Sequence, residues 1–323
     1  MDLTRTSGKR VNAGQGELVT AGNQTTVRKS WKTLAAVALG SVLSIPGLAK
    51  AQFDFTTIDV PGATSTSANG NSTHEIAGEY DDADGNTHGF VLSKGVFNTI
   101  DKPGAVSTTV NGISANGRLA GTYSDGTRLH AYFWSKGVFT TLDPEGSSES
   151  QGGFLNAQGK VVGGYRDPIK DGIRLRHAFI WSEGVFTTID PPNGHPTFGP
   201  LALGINDPGQ VVGTYVTDNM TPGGLRHGFL LSKGVYTTLD VPGADLTVAQ
   251  GINNAGTIVG LYMVGDPPKT HGFVLSKGVF TTIDVPGATD GTTAIFSINA
   301  KGEIVGIYSD ANGQHGFLGT PAH

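Results

Sequence analysis

The sequence contains no cysteine among its 323 residues. A disulfide framework, a thiolate metal site and a cysteine nucleophile are therefore excluded. Charged residues are scarce, at 15% of the chain, against about a quarter in ordinary soluble domains. Hydrophobic residues, at 37%, suffice for a core, and glycine is abundant, with 49 residues. This composition is typical of a turn-rich all-β protein rather than of a helical bundle.

The N-terminal segment has the three parts of a secretory signal peptide. Basic residues at 28–32 precede an apolar run over 34–42, and Ala49 and Ala51 fit the small-x-small rule of signal peptidase. The run is short and interrupted for a transmembrane helix, so a signal-anchor is the less favoured alternative. Translation from Val27, read from a GTG codon, would give a signal of ordinary length. We expect a secreted, extracellular protein that meets a membrane only during export; the periplasm is the alternative location.

Removal of residues 1–51 changes the charge balance. This segment holds seven of the 22 basic residues and two of the 27 acidic residues, which leaves a net charge of −10 on the rest of the chain. A domain this acidic is poorly suited to nucleic acid or to an anionic membrane surface. No nucleic-acid partner is therefore predicted.

Three short motifs recur six times in a fixed order. They are Phe-Thr-Thr-Ile-Asp, first at 55–59, a Gly-x-Tyr element, first at Tyr80, and a His-Gly-Phe motif. The copies of the third motif begin at His88, His130, His177, His227, His271 and His315. Successive copies lie 42, 47, 50, 44 and 44 residues apart, a period typical of the blades of a β-propeller.

Each repeat predicts four short strands. In the fifth repeat they lie around 251–253 and over 257–262, 271–276 and 279–284. These runs are rich in β-branched and aromatic residues and are bounded by Gly, Pro and Asn, as strands require.

The two ends of the repeat array complement each other. The chain after the signal starts with a lone fourth strand at 53–59 and ends with a third strand at 315–319 that lacks its partner. Pairing them completes a sixth blade and removes the exposed edges. We therefore predict an all-β fold, a six-bladed β-propeller with four antiparallel strands per blade over 52–320, a tail at 321–323 and a monomeric state. An open β-solenoid is the alternative, but it does not explain the permuted ends.

The motif His177-Ala178-Phe179, its variants at His130 and His227, and the surrounding pattern Gly-Ile-Asn-x-x-Gly-x-Ile/Val-Val-Gly-x-Tyr resemble the bacterial HAF-repeat family of extracellular proteins. The likeness covers essentially all of the chain after residue 51. It implies an exported repeat protein, but it implies no activity and supplies no catalytic residue. The first copy lacks a clean Gly-Ile-Asn within 69–75, so an irregular first strand is expected there.

Residues that recur in all six repeats are interpreted as structural. The six histidines lie one blade apart and cannot converge on a single ion, whose ligands must lie about 2 Å from the metal. We expect them to form structural hydrogen bonds. The aspartate that ends each fourth strand is predicted to cap the following turn.

One acidic loop has part of the pattern of a calcium site. Asp82 and Asp84 lie in the segment Asp-Ala-Asp-Gly-Asn, but the late glutamate of a calcium loop is missing. A hairpin turn is the favoured interpretation, so neither a metal nor a cofactor is predicted.

Loop variation predicts which face of the propeller carries function. The first-to-second and third-to-fourth turns are short and uniform and emerge on one face. The second-to-third loops and the links between blades emerge on the other face and vary in length and chemistry, as functional loops do. The richest of these variable segments are 166–176, 191–200 and 216–226.

Basic side chains on these segments form the predicted ligand site. They are Arg166, Arg174, Arg176, His195 and Arg226. Guanidinium groups bind carboxylates and phosphates bidentately, so an acidic glycan or an acidic protein is the expected partner. In the competing interpretation, the arginines only form exposed ion pairs with Asp167, Asp171 and Asp218.

The sequence carries no recognised catalytic motif. It lacks a Gly-x-Ser-x-Gly elbow, a phosphate loop and a His-Glu-x-x-His pair. The leading prediction is a secreted recognition or scaffold module of unknown ligand. The lack of a catalytic motif argues against an enzyme but leaves catalysis open. A glycan hydrolase or lyase that uses carboxylates on the variable face is the alternative, and a structural surface protein is the third hypothesis. Aromatic and acidic side chains clustered in the central depression would favour the enzyme, whereas a charged rim would favour recognition.

Overall fold

The computed structural model describes residues 53–195, 197–217 and 226–322. The predicted signal peptide, with its cleavage site at Ala49 and Ala51, lies outside the described residues. The described part of the chain forms four-stranded antiparallel sheets, as predicted. Within it, no helix has the length and apolar character needed to cross a membrane.

The strands follow one another blade by blade, and each blade begins with the strand nearest the axis. The chain starts with β1 (Phe53–Ile58), which belongs to the last blade. Blade 1 contains β2 (Ser65–Asn71), β3 (Glu75–Asp81), β4 (Thr87–Ser93) and β5 (Val96–Ile100). Blade 2 contains β6 (Ser107–Ile113), β7 (Leu119–Ser124), β8 (Leu129–Ser135) and β9 (Val138–Leu142). Blade 3 contains β10 (Glu149–Leu155), β11 (Val161–Arg166), β12 (Arg176–Ser182) and β13 (Val185–Thr188).

The second half of the chain repeats this pattern. Blade 4 contains β14 (Leu201–Ile205), β15 (Val211–Val216), β16 (Arg226–Ser232) and β17 (Val235–Leu239). Blade 5 contains β18 (Leu246–Ile252), β19 (Ile258–Val264), β20 (Lys269–Ser276) and β21 (Val279–Ile283). Blade 6 contains β22 (Ala294–Ile298), β23 (Ile304–Asp310) and β24 (Gly313–Pro321). A single parallel bridge from Arg226 to Leu246 joins the sheets of blades 4 and 5.

The two ends of the propeller chain pair to complete blade 6. Strand β1 runs antiparallel to β24, with partners from Phe53 opposite Pro321 to Ile58 opposite Gly316. The inner strands contact one another around the axis, and β22 contacts β2 across the junction. The predicted six-bladed architecture is therefore confirmed. Strand β24 ends at Pro321, one residue beyond the predicted boundary.

Each inner strand carries a β-bulge shortly before its first turn. In blade 5 the register of β18 against β19 shifts between Ala249 and Gly251. This strand begins at Leu246, so the sequence located only its last residues. In blade 1 the same shift occurs between Ala68 and Gly70. The first strand of the first copy is therefore irregular, as expected, but the missing Gly-Ile-Asn is not the cause, because the bulge is common to all six blades.

Asparagines that follow the bulges tie neighbouring blades together. The side-chain amide of Asn206 donates to the carbonyl oxygen of Asn253 over 3.0 Å. Asn156 and Asn253 make the same bond to the next blade at 3.2 Å. Asn299 donates to the carbonyl oxygen of Ser72 at 2.9 Å, which crosses the junction between the chain ends. These bonds explain the recurring asparagine of the Gly-Ile-Asn motif.

The glycine of the Gly-x-Tyr motif lets the first two strands and the core aromatic residue pack closely. A Cβ atom on Gly260 would lie 2.0 Å from the carbonyl oxygen of Val248 and 2.8 Å from the ring of Phe273. A Cβ atom added at any of the equivalent glycines would lie within 2.2 Å of a carbonyl oxygen; these are Gly78, Gly121, Gly163, Gly213 and Gly306. The aromatic side chain of each His-x-Phe motif is fully buried at this position: Phe90, Tyr132, Phe179, Phe229, Phe273 and Phe317. Packing within each blade therefore depends on these two recurring residue types.

We predict that deletion of Phe53–Ile58 lowers the melting temperature by roughly 10 °C or more, equivalent to several kcal/mol for a domain of this size. The deletion exposes the edge of β24 and removes the contact between the Phe55 and Phe317 rings, whose centroids lie 5.6 Å apart. Thermal unfolding followed by circular dichroism measures the effect. Deletion of the six residues 168–173, all of which are exposed, is the length-matched control. Equal small losses for both deletions would contradict the closure.

Candidate functional site

The six recurring histidines pair with the aspartates that end the fourth strands. In blade 5, Nδ1 of His271 lies 2.8 Å from Oδ1 of Asp284. The other pairs have Nδ1–oxygen distances of 2.6–2.9 Å: His88–Asp101, His130–Asp143, His177–Asp190, His227–Asp240 and His315–Asp59. Because Asp59 follows β1, the pair His315–Asp59 joins the two ends of the propeller.

Each histidine ring also packs against the tyrosine of the Gly-x-Tyr motif. In blade 5 the ring centroids of Tyr262 and His271 lie 5.3 Å apart, and the Tyr262 hydroxyl lies 2.9 Å from Oγ1 of Thr282. The same Tyr–His and Tyr–Thr contacts recur in every blade. These contacts account for the fixed order of the three motifs. The described residues contain no group of three or more side chains placed to hold a metal ion.

The aspartates of the fourth strands do not cap the following turn, contrary to the prediction. The backbone N–H of Val285, which follows Asp284, donates to Oγ1 of Thr293 at 3.1 Å. Equivalent bonds run from Val60 to Thr66, from Lys102 to Thr108 and from Val241 to Thr247. The cap is therefore a threonine of the next inner strand, because the aspartate side chain turns back to the histidine.

The acidic loop of blade 1 forms a hairpin turn. Oδ1 of Asp82 accepts the backbone N–H groups of Asp84 and Asn86 at 2.9 and 2.8 Å, and Oδ2 accepts the Asn86 side-chain amide at 2.9 Å. Nε2 of His88 lies 3.3 Å from the same Oδ2. The hydrogen bonds from Asn86, with those from His88 and Asp84, hold the pKa of Asp82 well below its usual range. The carboxylate is thus engaged within its own turn, which accords with the hairpin interpretation.

A cavity of about 510 Å³ lies on the propeller axis and opens toward the variable loops. Leu129 and Gln314, at the loop ends of their third strands, mark its outer part. Blades 1 to 3 contribute a polar wall: Ser67, Asn69, Glu79, Thr109, Asn111, Thr122 and Gln151. The remaining wall is mainly apolar: Phe154, Leu201, Leu203, Phe296 and Ile307, with Gln250 between them. The cavity is therefore two-sided, with hydrogen-bonding groups opposite apolar surface.

Glu79 is the single carboxyl group among the described residues that line this cavity. It occupies the middle position of Gly-x-Tyr, where the other blades carry Thr122, Gly164, Thr214, Leu261 and Ile307. Burial raises the pKa of Glu79 to about 7, and the nearby charge of Asp81 adds to the rise. Its carboxyl group is therefore about half neutral near neutral pH.

A single carboxyl group does not form the pair that most glycosidases require. Such enzymes position an acid and a second carboxylate on opposite sides of the scissile bond. The cavity does contain the aromatic side chains Phe154 and Phe296, but its described lining provides only Glu79 as an acid. The described lining of the cavity therefore does not supply the carboxylate pair of those enzymes.

Four of the five predicted site residues form one arginine cluster, defined as Arg166, Arg174, Arg176 and Arg226. Nε of Arg166 lies 3.3 Å from Oε1 of Glu149, and Nη2 of Arg174 lies 3.1 Å from its Oε2. Arg176 donates through Nη2 to Oε1 of Gln151 at 2.8 Å. Because Gln151 lines the axial cavity, the arginine cluster lies at the edge of that cavity.

The arginine cluster carries excess positive charge. Burial lowers the pKa of Arg176 to about 10, and the charges of Arg166 and Arg226 add to this effect, while Glu149 opposes it. The competing interpretation named the wrong partners, since Arg166 and Arg174 pair with Glu149 rather than with Asp167 or Asp171. Asp218, in the predicted variable segment 216–226, lies outside the described residues.

His195 lies on the same variable face, in the link between blades 3 and 4. Its Nδ1 accepts the backbone N–H of Thr197 at 3.3 Å, and its ring packs 5.6 Å from the ring of Phe198. The link passes close to the cluster, since a Cβ on Gly199 would come within 2.1 Å of the Arg176 carbonyl oxygen. The described contacts of the His195 ring are with its own link, so it is not included in the arginine cluster.

Sequence reasoning missed Glu79 and the axial cavity. The available signal was the one acidic residue at the middle position of six Gly-x-Tyr motifs. Positions that break an otherwise regular repeat identify both Glu79 and the arginines.

Comparisons with known proteins give structural likenesses only. No protein-family model matches the chain, and no curated protein matches it. Similar solved structures include the β-propeller domain of the Trilobed protease from Pyrococcus furiosus, at 10% identity, 81% of this chain, 94% of that chain and a TM-score of 0.47. TolB from Acinetobacter baumannii has 12% identity over 76% of this chain and 64% of that chain, with a TM-score of 0.48.

A further similar structure is the six-bladed, fucose-recognising lectin of Aleuria aurantia. It has 12% identity over 81% of this chain and 93% of that chain, with a TM-score of 0.46. These TM-scores, all below 0.5, support no inference about function. The classification of this protein as a six-bladed β-propeller rests on its own strand pairing.

We predict that Glu79→Gln raises the melting temperature at about pH 8.5 and has little effect at about pH 5. The pKa of Glu79 is higher in the folded state than its ordinary value of 4.5. Its contribution to stability is therefore present below that value and is lost as the pH rises through about 7. The shift corresponds to about 3 kcal/mol at alkaline pH. Glu75→Gln, at the other end of the same strand, is the control, and a pH-independent effect of Glu79→Gln would contradict the assignment.

Proposed function

We propose that the protein is a secreted recognition module that binds a short acidic saccharide at the axial cavity, with the saccharide carboxylate held by the arginine cluster. The observation that carries this proposal is the arginine cluster at the edge of the axial cavity, in which Arg166 and Arg174 share the carboxylate of Glu149 and Arg176 bonds Gln151 of the cavity wall. Net positive charge at a cavity edge attracts an anion, and guanidinium groups bind carboxylates in bidentate geometry.

The size and lining of the cavity favour a small ligand over a protein partner. Its volume of about 510 Å³ falls in the range of small-molecule sites, about 300–1,000 Å³. Sugars present hydroxyl groups on their edges and C–H groups on their faces. The amides of Asn69 and Asn111 donate to the carbonyl oxygens of Val110 and Gly152 in the next blades. The amide side chains of Gln250 and Gln314 in the cavity lining can bond the sugar hydroxyl groups, while the rings of Phe154 and Phe296 can cover an apolar face.

The arginines break the repeat, which supports a role in binding rather than in the blade. The residue before the His motif is arginine in blades 3 and 4, at Arg176 and Arg226. The other blades have Thr87, Leu129, Thr270 and Gln314 at this position. A residue needed to build a blade would recur in all six.

The predicted signal peptide within residues 1–51 and the resemblance to HAF-repeat proteins support export of the mature chain. A saccharide outside the cell is accessible to such a protein. In this proposal the protein acts as a monomer without a cofactor.

We predict that the mature protein binds uronic-acid oligosaccharides on a glycan array and does not bind their neutral methyl esters. Replacing both Arg174 and Arg176 with Gln should weaken binding at least about tenfold, the loss expected from one charge-assisted hydrogen bond. Gln is used because Arg176 is largely buried and bonded to Gln151, so that the replacement keeps a hydrogen-bonding side chain.

The matched control is Lys160→Gln, which removes one exposed positive charge from the first turn of the same blade on the opposite face. It should leave binding unchanged. Absence of binding to every acidic saccharide by the wild-type protein would refute the proposal. Equal losses of affinity for the control and the arginine variant would show that binding depends on nonspecific charge rather than on the arginine cluster. Hydrolysis or elimination products on the array would establish an enzyme instead.

A further inference from the structure

We propose, on the basis of the function proposed above, that Glu79 is the specificity-determining residue of the axial cavity: its neutral carboxyl group hydrogen-bonds the part of an acidic saccharide that enters the cavity, and binding weakens when this group ionises. The group thereby selects ligands and makes their binding depend on proton concentration.

The first reason is that the fold does not need a carboxyl group at this position. The equivalent residue is threonine in blades 2 and 4, glycine in blade 3, leucine in blade 5 and isoleucine in blade 6. All of these blades form the same four strands with the same bulge. The blade therefore does not require a carboxyl group at the position of Glu79.

The second reason is the surroundings of the side chain. Glu79 is partly buried in the cavity wall, and the influences on its pKa are burial and the charge of Asp81, with no hydrogen bond. A carboxyl group in such a place costs stability when it ionises. A ligand that supplies a hydrogen bond would offset this cost.

The charged and titratable groups around Glu79 are few. Asp81 lies on the same strand, where the hydroxyl groups of Ser65 and Thr87 donate to its carboxylate at 2.8 and 2.7 Å. The Tyr132 hydroxyl of β8 donates to the carbonyl oxygen of Thr109 at 3.0 Å. These two groups are therefore already engaged with neighbours of their own.

The remaining neighbours leave Glu79 as the titrating group of the cavity. The strands β2 and β6, which pack against β3, carry no titratable side chain. On β4, His88 is bonded through its two ring nitrogens to Asp82 and Asp101. Hydrogen bonding to Asp101, opposed by burial and aided by Asp82, raises the pKa of His88, so this ring titrates as part of its own ion pairs.

The two kinds of charged group then have different roles. The arginine cluster attracts the saccharide carboxylate and stays positively charged over the physiological range. Neutral Glu79 can donate its O–H to a ligand oxygen, including a carboxylate oxygen. Ionised Glu79 cannot donate, and it repels an anionic ligand in an enclosed site where screening is weak. A methyl-esterified ligand would lose the attraction to the arginines and the repulsion from ionised Glu79, so only the loss of the donated O–H bond would remain to make its binding depend on pH.

The test measures binding of a trimer of galacturonic acid by calorimetry at about pH 6 and about pH 8. With only the neutral form of Glu79 competent, the wild-type affinity should fall about tenfold between these values. Glu79→Gln should bind with nearly the same affinity at both, because its amide remains a neutral donor. Glu75→Gln, which removes a carboxyl group from the start of the same strand, should retain the tenfold decrease.

The outcomes separate this inference from the proposed function. If the wild-type protein binds the trimer and Glu79→Gln shows the same tenfold decrease, the role of Glu79 is refuted and the binding function remains. A wild-type affinity that does not change between the two pH values would likewise refute the role of Glu79 and leave the binding function standing. If the wild-type protein binds neither this trimer nor any acidic saccharide of the array, the proposed function itself fails. A folded Glu79→Gln variant, verified by its melting curve, excludes misfolding as the cause of any change.

Discussion

The pairing of β1 with β24 is the interaction on which the rest of the structure depends. It brings residues from the two ends of the propeller chain into one sheet, and the His315–Asp59 contact repeats there the pair found in the other five blades. The pairing covers the edge of β24 and leaves β1 as the outer strand of blade 6, the place that the fourth strands hold in the other blades. It also brings β22 against β2, so that inner strands from all six blades surround one axis. The axial cavity exists because this closure holds its walls in place.

In this protein, residues that recur in every blade and residues that differ between blades have separate physical roles. The glycine, tyrosine, histidine and aspartate of each repeat are explained by contacts inside a blade or between adjacent blades. Such contacts must recur, since every blade meets the same neighbours. A central ligand meets each blade only once and can use different residues from each. Residues that differ between blades in this way form the polar wall of blades 1 to 3, the mainly apolar remainder of the cavity wall and the arginines of blades 3 and 4.

Much of the fold could be predicted from the sequence because the repeats show which strands are equivalent and in what order they follow one another. Six copies of one motif order predicted the blades, and the permuted ends predicted the closing pair. The role of the fourth-strand aspartates was not predictable in this way. A strand-end aspartate commonly caps a turn, and only the packing of neighbouring blades shows that Thr293 and its equivalents reach those N–H groups instead.

The candidate site was predicted in part. Loop variation drew attention to Arg166, Arg174 and Arg176, which the structure brings together, whereas the competing interpretation paired the arginines with aspartates of the same loops. The structure pairs Arg166 and Arg174 with Glu149, which is far from them in the loop sequence but adjacent across the blade. Glu79 was not predicted, since its significance arises from burial beside an axial cavity. Sequence patterns report strand periodicity well, whereas the enclosure of a single side chain is a property of the assembled ring.

The central claim is that the residues that break the repeat converge on one ligand site at the axis. A crystal structure of the mature protein with an oligogalacturonate tests this claim most directly. The account predicts electron density for the saccharide in the axial cavity, with a carboxylate against the arginine cluster and a ligand oxygen within hydrogen-bonding distance of Glu79. Density for the saccharide between the blades or on the short-turn face, with the axial cavity occupied by solvent alone, would contradict it.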